Sequence, residues 1–260
     1  EIRNCDWSSD VCSSDLAGGA TDESKSNLAL TLTYLEEAKV LAPEQRDIRL
    51  LLAQVHFVSG NEEKGQALLD DQMNLFPRDT EGPLLSAQLA MKAAEFGRAQ
   101  DELNKVFQID PKNKDAAAIN HILAIVSDGD VAGARSKALS LGYPREVLAQ
   151  TLLETLHVDP RGAKEVLVLM DDELEEKPKR LEAYHLKAVA LTLLGKDAEA
   201  DTHVDKAISL VPEENKEEIR QALNSQVKQA RLALKARDLI QEQTNENESD
   251  AEAAGVSIQP

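Results

Sequence analysis

Aromatic residues make up only 3% of this 260-residue chain, and its two cysteines, Cys5 and Cys12, both fall within the first sixteen residues. With Val, Ile, Tyr and Phe thinly spread, the side chains that favour strands are scarce, which argues against a sheet-based core. Ala, Leu, Glu, Lys, Gln and Asp dominate instead, a helical composition. No apolar run approaches the roughly 18 residues a membrane span needs, so no membrane insertion is expected of this sequence. Basic residues are also short: 29 Lys and Arg stand against 47 Asp and Glu, and the net charge of −18 disfavours nucleic acid and anionic membrane surfaces as partners. Nothing downstream can pair with the two cysteines or complete a zinc site around them. A Gly-rich phosphate loop, a GxSxG elbow and an HExxH motif are all missing, so the sequence supports no enzyme reading and no cofactor.

What is there is a period. Prolines fall at Pro43, Pro77, Pro111, Pro144, Pro178 and Pro212, with gaps of 34, 34, 33, 34 and 34 residues. Proline is tolerated in a first helical turn and not in a helix interior, so each marks the join between one unit and the next. Inside the units, Ser59-Gly60-Asn61, Ala94-Glu95-Phe96, Asp128-Gly129-Asp130 and Leu194-Gly195-Lys196 divide two helix-length segments. The second segments repeat a spacing of one helical face, as in Ala99, Leu103 and Val106 before Pro111, and Ala200, Val204 and Ala207 before Pro212.

This pattern resembles the tetratricopeptide-repeat family over roughly residues 27–212. Its clearest copy carries Tyr184, Ala188, Leu191, Gly195, Ala200, Val204, Ala207 and Pro212 at the family's positions. The resemblance implies an all-α, right-handed α-solenoid of stacked helix-turn-helix units, one of which is cut short at the N-terminal end and five of which follow in full. Three departures stand out: Gly65 and Gln72 replace expected alanines, the fourth unit is a residue short, and the fifth has Asp159-Pro160 at its turn. Asp159 there reads as an N-cap with Pro160 at the first helical position.

Residues 6–16, DWSSDVCSSDL, resemble the in-frame translation of a sequencing adapter, so residues 1–16 are read as an artefact without structure. On that reading Trp7 and both cysteines drop out, together with Glu1, Asp6, Asp10 and Asp15 against Arg3, and the natural N-terminus is missing. Any leader or further domain would go with it, which leaves cytoplasm and periplasm equally open. Residues 17–26 read as a polar linker, 27–212 as the repeats, 213–241 as a long amphipathic capping helix with Ile219, Leu223, Val227, Ala230 and Leu234 on one face, and 242–260 as an acidic disordered tail. Lys216, Arg220, Lys228, Arg231, Lys235 and Arg237 on that helix read as a solvated face with i, i+4 ion pairs. Asn247-Glu248-Ser249 matches a glycosylation triplet, and the five histidines are scattered along the chain with no catalytic set. Asp128 and Asp130 read as helix caps sooner than calcium ligands, since the ligand order of a calcium loop is absent.

The family likeness implies a concave groove made by the first helix of each unit, where a partner segment binds. Carried over position by position, the groove residues are Asp47, Leu50, Gln54 and Phe57; Glu81, Leu84, Gln88 and Met91; and Glu182, His185 and Val189. The Lys/Asn/Arg set with which some family members clamp a C-terminal carboxylate is not reproduced. Leu, Met and Phe flanked by Gln suit an apolar segment, and the acidic rim favours a basic one. The expected role is therefore a protein-interaction scaffold, by analogy in a bacterial envelope or secretion-associated assembly. Two alternatives stand beside it: the repeat portion of a larger protein with a catalytic or thioredoxin-like domain upstream, and a self-associating structural element.

Overall fold

The computed structural model describes residues 22–253; the adapter-like residues 1–16, the start of the linker and residues 254–260 of the tail lie outside them. Twelve α-helices occupy the described residues, and no strand occurs among them. They fall into two compact units, one up to Leu141 and one from Gly142.

Unit 1 begins with α1 (Asp22–Leu41) and continues as three hairpins. These are α2 (Arg46–Val58) with α3 (Glu62–Leu75), α4 (Glu81–Lys92) with α5 (Phe96–Ile109), and α6 (Lys114–Val126) with α7 (Val131–Ser140). Unit 2 holds α8 (Arg145–Leu156) with α9 (Pro160–Glu176), α10 (Leu181–Leu193) with α11 (Asp197–Ser209), a single 3-10 turn at Glu213–Asn215, and α12 (Lys216–Ala253). Within each unit every hairpin packs on the next, giving an α-solenoid of tetratricopeptide type whose C-terminal face α12 covers.

Two turns repeat. Between hairpins, the amides of Gln45, Asp79, Asn113 and Arg180 donate to the carbonyls of Ala42, Phe76, Asp110 and Lys177, at 2.9–3.1 Å. Pro43, Pro77, Pro111 and Pro178 therefore occupy the second position of a β-turn, which their fixed φ suits. These prolines mark the joins between units, as the sequence places them, and the next helices begin three or four residues later. Within hairpins, the chain reverses through one left-handed residue: Gly60 (φ 73°), Ala94 (57°), Asp128 (54°) and Gly195 (73°), each seventeen positions after its proline. In the fifth unit that residue is His157 (φ 44°), thirteen after Pro144. There α8 starts immediately after Pro144, so the hairpin is shifted by one helical turn, and α9 takes up the difference. Asp159 caps α9 as read, accepting from the Arg161 amide at 2.8 Å with Pro160 at the first helical position.

The core is built from small residues where helices cross and larger ones around them. Ala53, Ala87 and Ala188 hold the same place in three first helices and are fully buried; His121 holds it in α6 and is buried too. Gly65, the departure at the crossing of α2 and α3, is explained by the ring of Phe57, which fills the space a Cβ would need. Leu103 and Val106 of α5 close the core between α4 and α6. In unit 2, Leu223 and Val227 of α12 join Ala188, Leu191, Val204 and Ala207.

Two boundaries differ from the reading of the sequence. Helix α1 starts at Asp22, inside the segment taken as a polar linker, because Ser24 to Asn27 are polar but contain no glycine or proline to stop a helix. Likewise α12 runs on to Ala253, past Gln241 and through Asn247-Glu248-Ser249. Its acidic end lacks apolar residues to bury, which is a statement about packing; its Glu, Gln and Ala still favour helix.

Candidate functional site

The first helices lie side by side within each unit, α2 with α4 and α4 with α6 in unit 1, and α8 with α10 in unit 2. A residue at a given register of one therefore has its counterpart on the neighbour. In unit 1 the registers read Asp47, Glu81, Asp115; Leu50, Leu84, Ala118; Gln54, Gln88, Ile122; and Phe57, Met91, Ile125. Steps of three, four and three residues keep all four registers on one side of each helix.

Exposure along this line is graded. Leu50 is buried among Leu52, Ala53, Leu68, Leu69 and Leu85, and belongs to the hairpin core. Phe57 is half-buried against the same cluster, while Leu84 and Met91 are half-buried against the cluster of Leu103 and Val106. Gln54 and Gln88 are half-exposed. On α6 the corresponding Ala118, Ile122 and Ile125 are buried. Asp47 and Glu81 are exposed at the helix starts and share one cation. Arg46 reaches Asp47 with Nε at 3.1 Å, Glu81 with Nη2 at 3.2 Å and Asp79 with Nη1 at 3.5 Å. The bond to Asp47 and the charges of Glu81 and Asp79 raise the guanidinium above its ordinary pKa despite partial burial. The acidic rim is thus partly neutralised from within.

In unit 2 the same line is covered. Val189 packs against the cluster containing Leu223 and Val227, and His185 lies near Gln226 of α12. Burial lowers the His185 pKa, and Gln226 and the nearby Glu182 only partly offset this. Tyr184 stacks on His203 of α11 at 5.9 Å between ring centres, and its hydroxyl donates to the Pro178 carbonyl at 3.1 Å. Burial, with Lys187 and Lys206 adding to it, lowers the His203 pKa as well. The basic residues of α12 pair across to other helices and not mainly along their own: Arg220 with Asp205 at 3.1 Å, Arg231 with Asp197 at 2.7 Å and Asp201 at 2.9 Å. Arg237 donates to the Val158 carbonyl in the α8–α9 turn at 3.0 Å. The i, i+4 pairing read from the sequence gives way because α11 presents an aspartate every four residues to the same face.

Two polar features were not read from the sequence. At the α8–α9–α10 junction, Glu173 is buried and meets Arg145 at 3.3 Å and Lys177 at 2.6 Å, while Arg145 also grips Glu176 through both terminal nitrogens at 2.8–2.9 Å. Burial would raise Glu146 beside them, but bonds from its own backbone and from Arg180 prevail and hold its pKa below the ordinary value. In unit 1, Gln100, Asn104 and Asn120 line a cleft in which the Lys137 ammonium sits 3.2 Å from the centre of the Phe107 ring. No local motif announces either feature, since each gathers residues from three helices. Asp130 has the capping role read for it, its Oδ1 accepting from the Gly133 amide at 2.9 Å. Among the described residues no helix is long and apolar enough to cross a membrane.

No protein-family model matches the sequence, and no curated protein sequence matches it. Solved structures with a similar course include the following three. PilW, a widely conserved type IV pilus biogenesis factor, is 17% identical over 74% of this chain and 91% of its own, with a TM-score of 0.44. YrrB, a TPR protein with an unusual peptide-binding site, is 14% identical over 74% of this chain and 97% of its own, at 0.40. A chain of the APC/C hetero-tetramer Cut9-Hcn1 is 13% identical over 80% of this chain and 40% of its own, at 0.47. The resemblance to tetratricopeptide-repeat proteins is carried by the chain's own features: paired helices, a 34-residue period, and the two recurring turns.

Proposed function

We propose that the protein is an interaction scaffold that binds a partner segment along the first helices of unit 1. The observation that carries this reading is the pair of matched registers on α2 and α4, where Phe57 and Met91 are half-exposed beside Gln54 and Gln88. Flexible Met and planar Phe adapt to apolar side chains, and amides can bond a backbone without fixing its sequence. Asp47 and Glu81 at one end, on a chain of net charge −18, favour a segment with basic flanks. Leu50 contributes by setting the floor beneath this line, and Leu84 by packing beside it. In unit 2 the occupant of the His185 and Val189 positions is α12 itself, so the open part of the site is in unit 1. The narrower setting, a bacterial envelope or secretion-associated assembly, belongs to this proposal and is checked by fractionating cells that make the native protein.

The test is a set of labelled amphipathic peptides sharing one apolar core and carrying basic, neutral or acidic flanks, followed by fluorescence anisotropy. The basic set should bind best, weaken with salt, and lose about tenfold or more in affinity with Met91→Ser or Gln88→Ala. Equal binding of all three sets, or affinity untouched by these changes, would reject the assignment.

A further inference from the structure

We propose that the cleft between α5, α6 and α7 receives the guanidinium of an arginine side chain supplied from outside this chain. This site is independent of the groove. On α6 the cleft is lined by Asn120, Ala124 and Ser127. They lie about 200° round the helix from the groove register of Ala118, Ile122 and Ile125.

The protein carries its own pattern for such a site one repeat earlier. Between α3, α4 and α5 the corresponding space is filled by Arg98, whose guanidinium donates to Glu95 Oε2 at 2.9 Å, to Gln66 Oε1, and to Ser86 Oγ at 3.5 Å. Each of these acceptor positions recurs in the next repeat. Gln100 lies 34 residues after Gln66, and Asn120 lies 34 after Ser86. Asp130, 35 residues after Glu95, stands at the N-cap of α7 as Glu95 stands at that of α5. The added residue is Gly129, between the left-handed Asp128 and its cap, where Ala94 runs directly into Glu95. Ala99 and Ala134, also 35 apart, are both buried and confirm the register. The cation does not recur: 35 residues after Arg98 stands Gly133. With no side chain at that place, a cleft of about 370 Å³ stays open.

The acceptors also keep their orientation. Gln66 donates through Nε2 to Asp70 at 2.8 Å and turns Oε1 to Arg98. Gln100 donates through Nε2 to Asn104 and to Asn120, each at 3.3 Å, which leaves its Oε1 to accept. Asp130 caps α7 with Oδ1, and its Oδ2 lies over Gly133, 2.1 Å from where a Cβ would stand. A planar guanidinium with five N–H donors can reach a carboxylate and two amide oxygens at once, which the compact ammonium of lysine does less well. The net charge of −18 further favours a cation over an anion. Lys137 counts against a second cation. Its ammonium rests on the Phe107 ring, seven residues and roughly 10 Å along α5 from Gln100, so it lies toward the other end of the cleft.

The experiment uses the full chain, isotope-labelled for NMR, and three probes: N-acetyl-arginine methylamide and its lysine and glutamate counterparts, each titrated to about 50 mM at constant ionic strength. The arginine probe should give saturable shifts at the Gly133 amide and at the side-chain amides of Gln100 and Asn120, with a Kd of about 1–20 mM, as expected of one side chain in an open cleft. The lysine probe should bind about fivefold more weakly or less. Asp130→Asn keeps a capping residue while removing the charge, and it should weaken arginine binding about tenfold. Lys137→Met should strengthen it, because a competing cation is gone. Gly133→Arg should fill the cleft from within and end binding; if that variant does not fold by circular dichroism, Asp130→Asn carries the test. Shifts at the same groups that grow with protein concentration before any probe is added, and that Asp130→Asn abolishes, would support the site with a second copy as its donor. Binding of the glutamate probe that Lys137→Met abolishes would make the cleft a carboxylate site and overturn the proposal. Equal binding of the arginine and lysine probes, or no saturable shift up to about 50 mM, would overturn it as well.

Discussion

The ring of Phe57 occupies the place of the side chain that Gly65 lacks: a Cβ on Gly65 would lie 2.5 Å from Cδ2 and 2.6 Å from Cε2 of that ring. The pair ties a departure from the family pattern to a candidate binding residue. Gly65→Ala should push the ring outward and cost about 1–3 kcal/mol by overpacking, the more so because the Ala53 carbonyl is only 3.1 Å away on the other side. Pairing Gly65→Ala with Phe57→Leu should recover most of that loss in urea unfolding. Independent, additive losses would show that the two side chains do not compete for one space.

The hairpin turns offer a gain of stability. Ala94 holds φ 57° where Gly60 and Gly195 hold 73° at the equivalent positions. A Cβ in the left-handed region costs roughly 1 kcal/mol, and the flexibility glycine adds to the unfolded chain returns part of it. Ala94→Gly should therefore be neutral to stabilising by up to about 1 kcal/mol, where a glycine placed inside α4 or α5 would destabilise. Thermal melts of both kinds of variant decide.

Gln72 and Glu173 share a repeat position, twenty-nine residues after their prolines, and both are buried where the family has alanine. Their partners differ in strength. Gln72 reaches Asp79 only at 3.4 Å, whereas Glu173 is held by Arg145 and Lys177. Gln72→Ala should shift stability by no more than about 1 kcal/mol, restoring the family's residue. Arg145→Ala should cost more, up to about 3–5 kcal/mol, since it strips the buried Glu173 carboxylate of one of its two cations and leaves Lys177. Unfolding curves for the two single variants would show the contrast, and near-equal costs would contradict it.

Acid should loosen the end of unit 2 first. His185 and His203 have pKa values lowered by burial, so folding favours their neutral forms. A base with a lowered folded pKa contributes its stability above the unfolded value, about 6.5, and loses it as pH falls through the lower folded value. Hydrogen exchange of α12 should accelerate below about pH 6.5, and His185→Gln should flatten part of that response. The same profile in wild type and variant would place the sensitive group elsewhere.

The docking of α12 carries much of unit 2. Val227 is 2% exposed within the cluster formed with Leu191, Val204 and Leu223. Val227→Asp should bury an unpaired charge or expel the helix, costing several kcal/mol and exposing apolar surface that a hydrophobic dye would report. Unchanged melting and no dye binding would mean that α10 and α11 stand without their cover.

Period, helix content, hairpin turns and the apolar face of α12 were legible in the sequence because each depends on residues within a few turns of one another. A proline every 34 residues, a left-handed residue seventeen positions later and a line at Leu223, Val227 and Ala230 are properties of local backbone chemistry. The fate of the groove residues was not legible. That Leu50 sinks into the core, that Phe57 leans on Gly65, and that His185 and Val189 lie under α12 depend on which helix arrives from elsewhere in the chain. The same holds for Arg220 and Arg231, whose aspartates are supplied by α11 and not by their own helix. Register on a helix says which residues share a side; only packing decides whether that side meets solvent, because burial is a property of pairs of elements and not of either one alone.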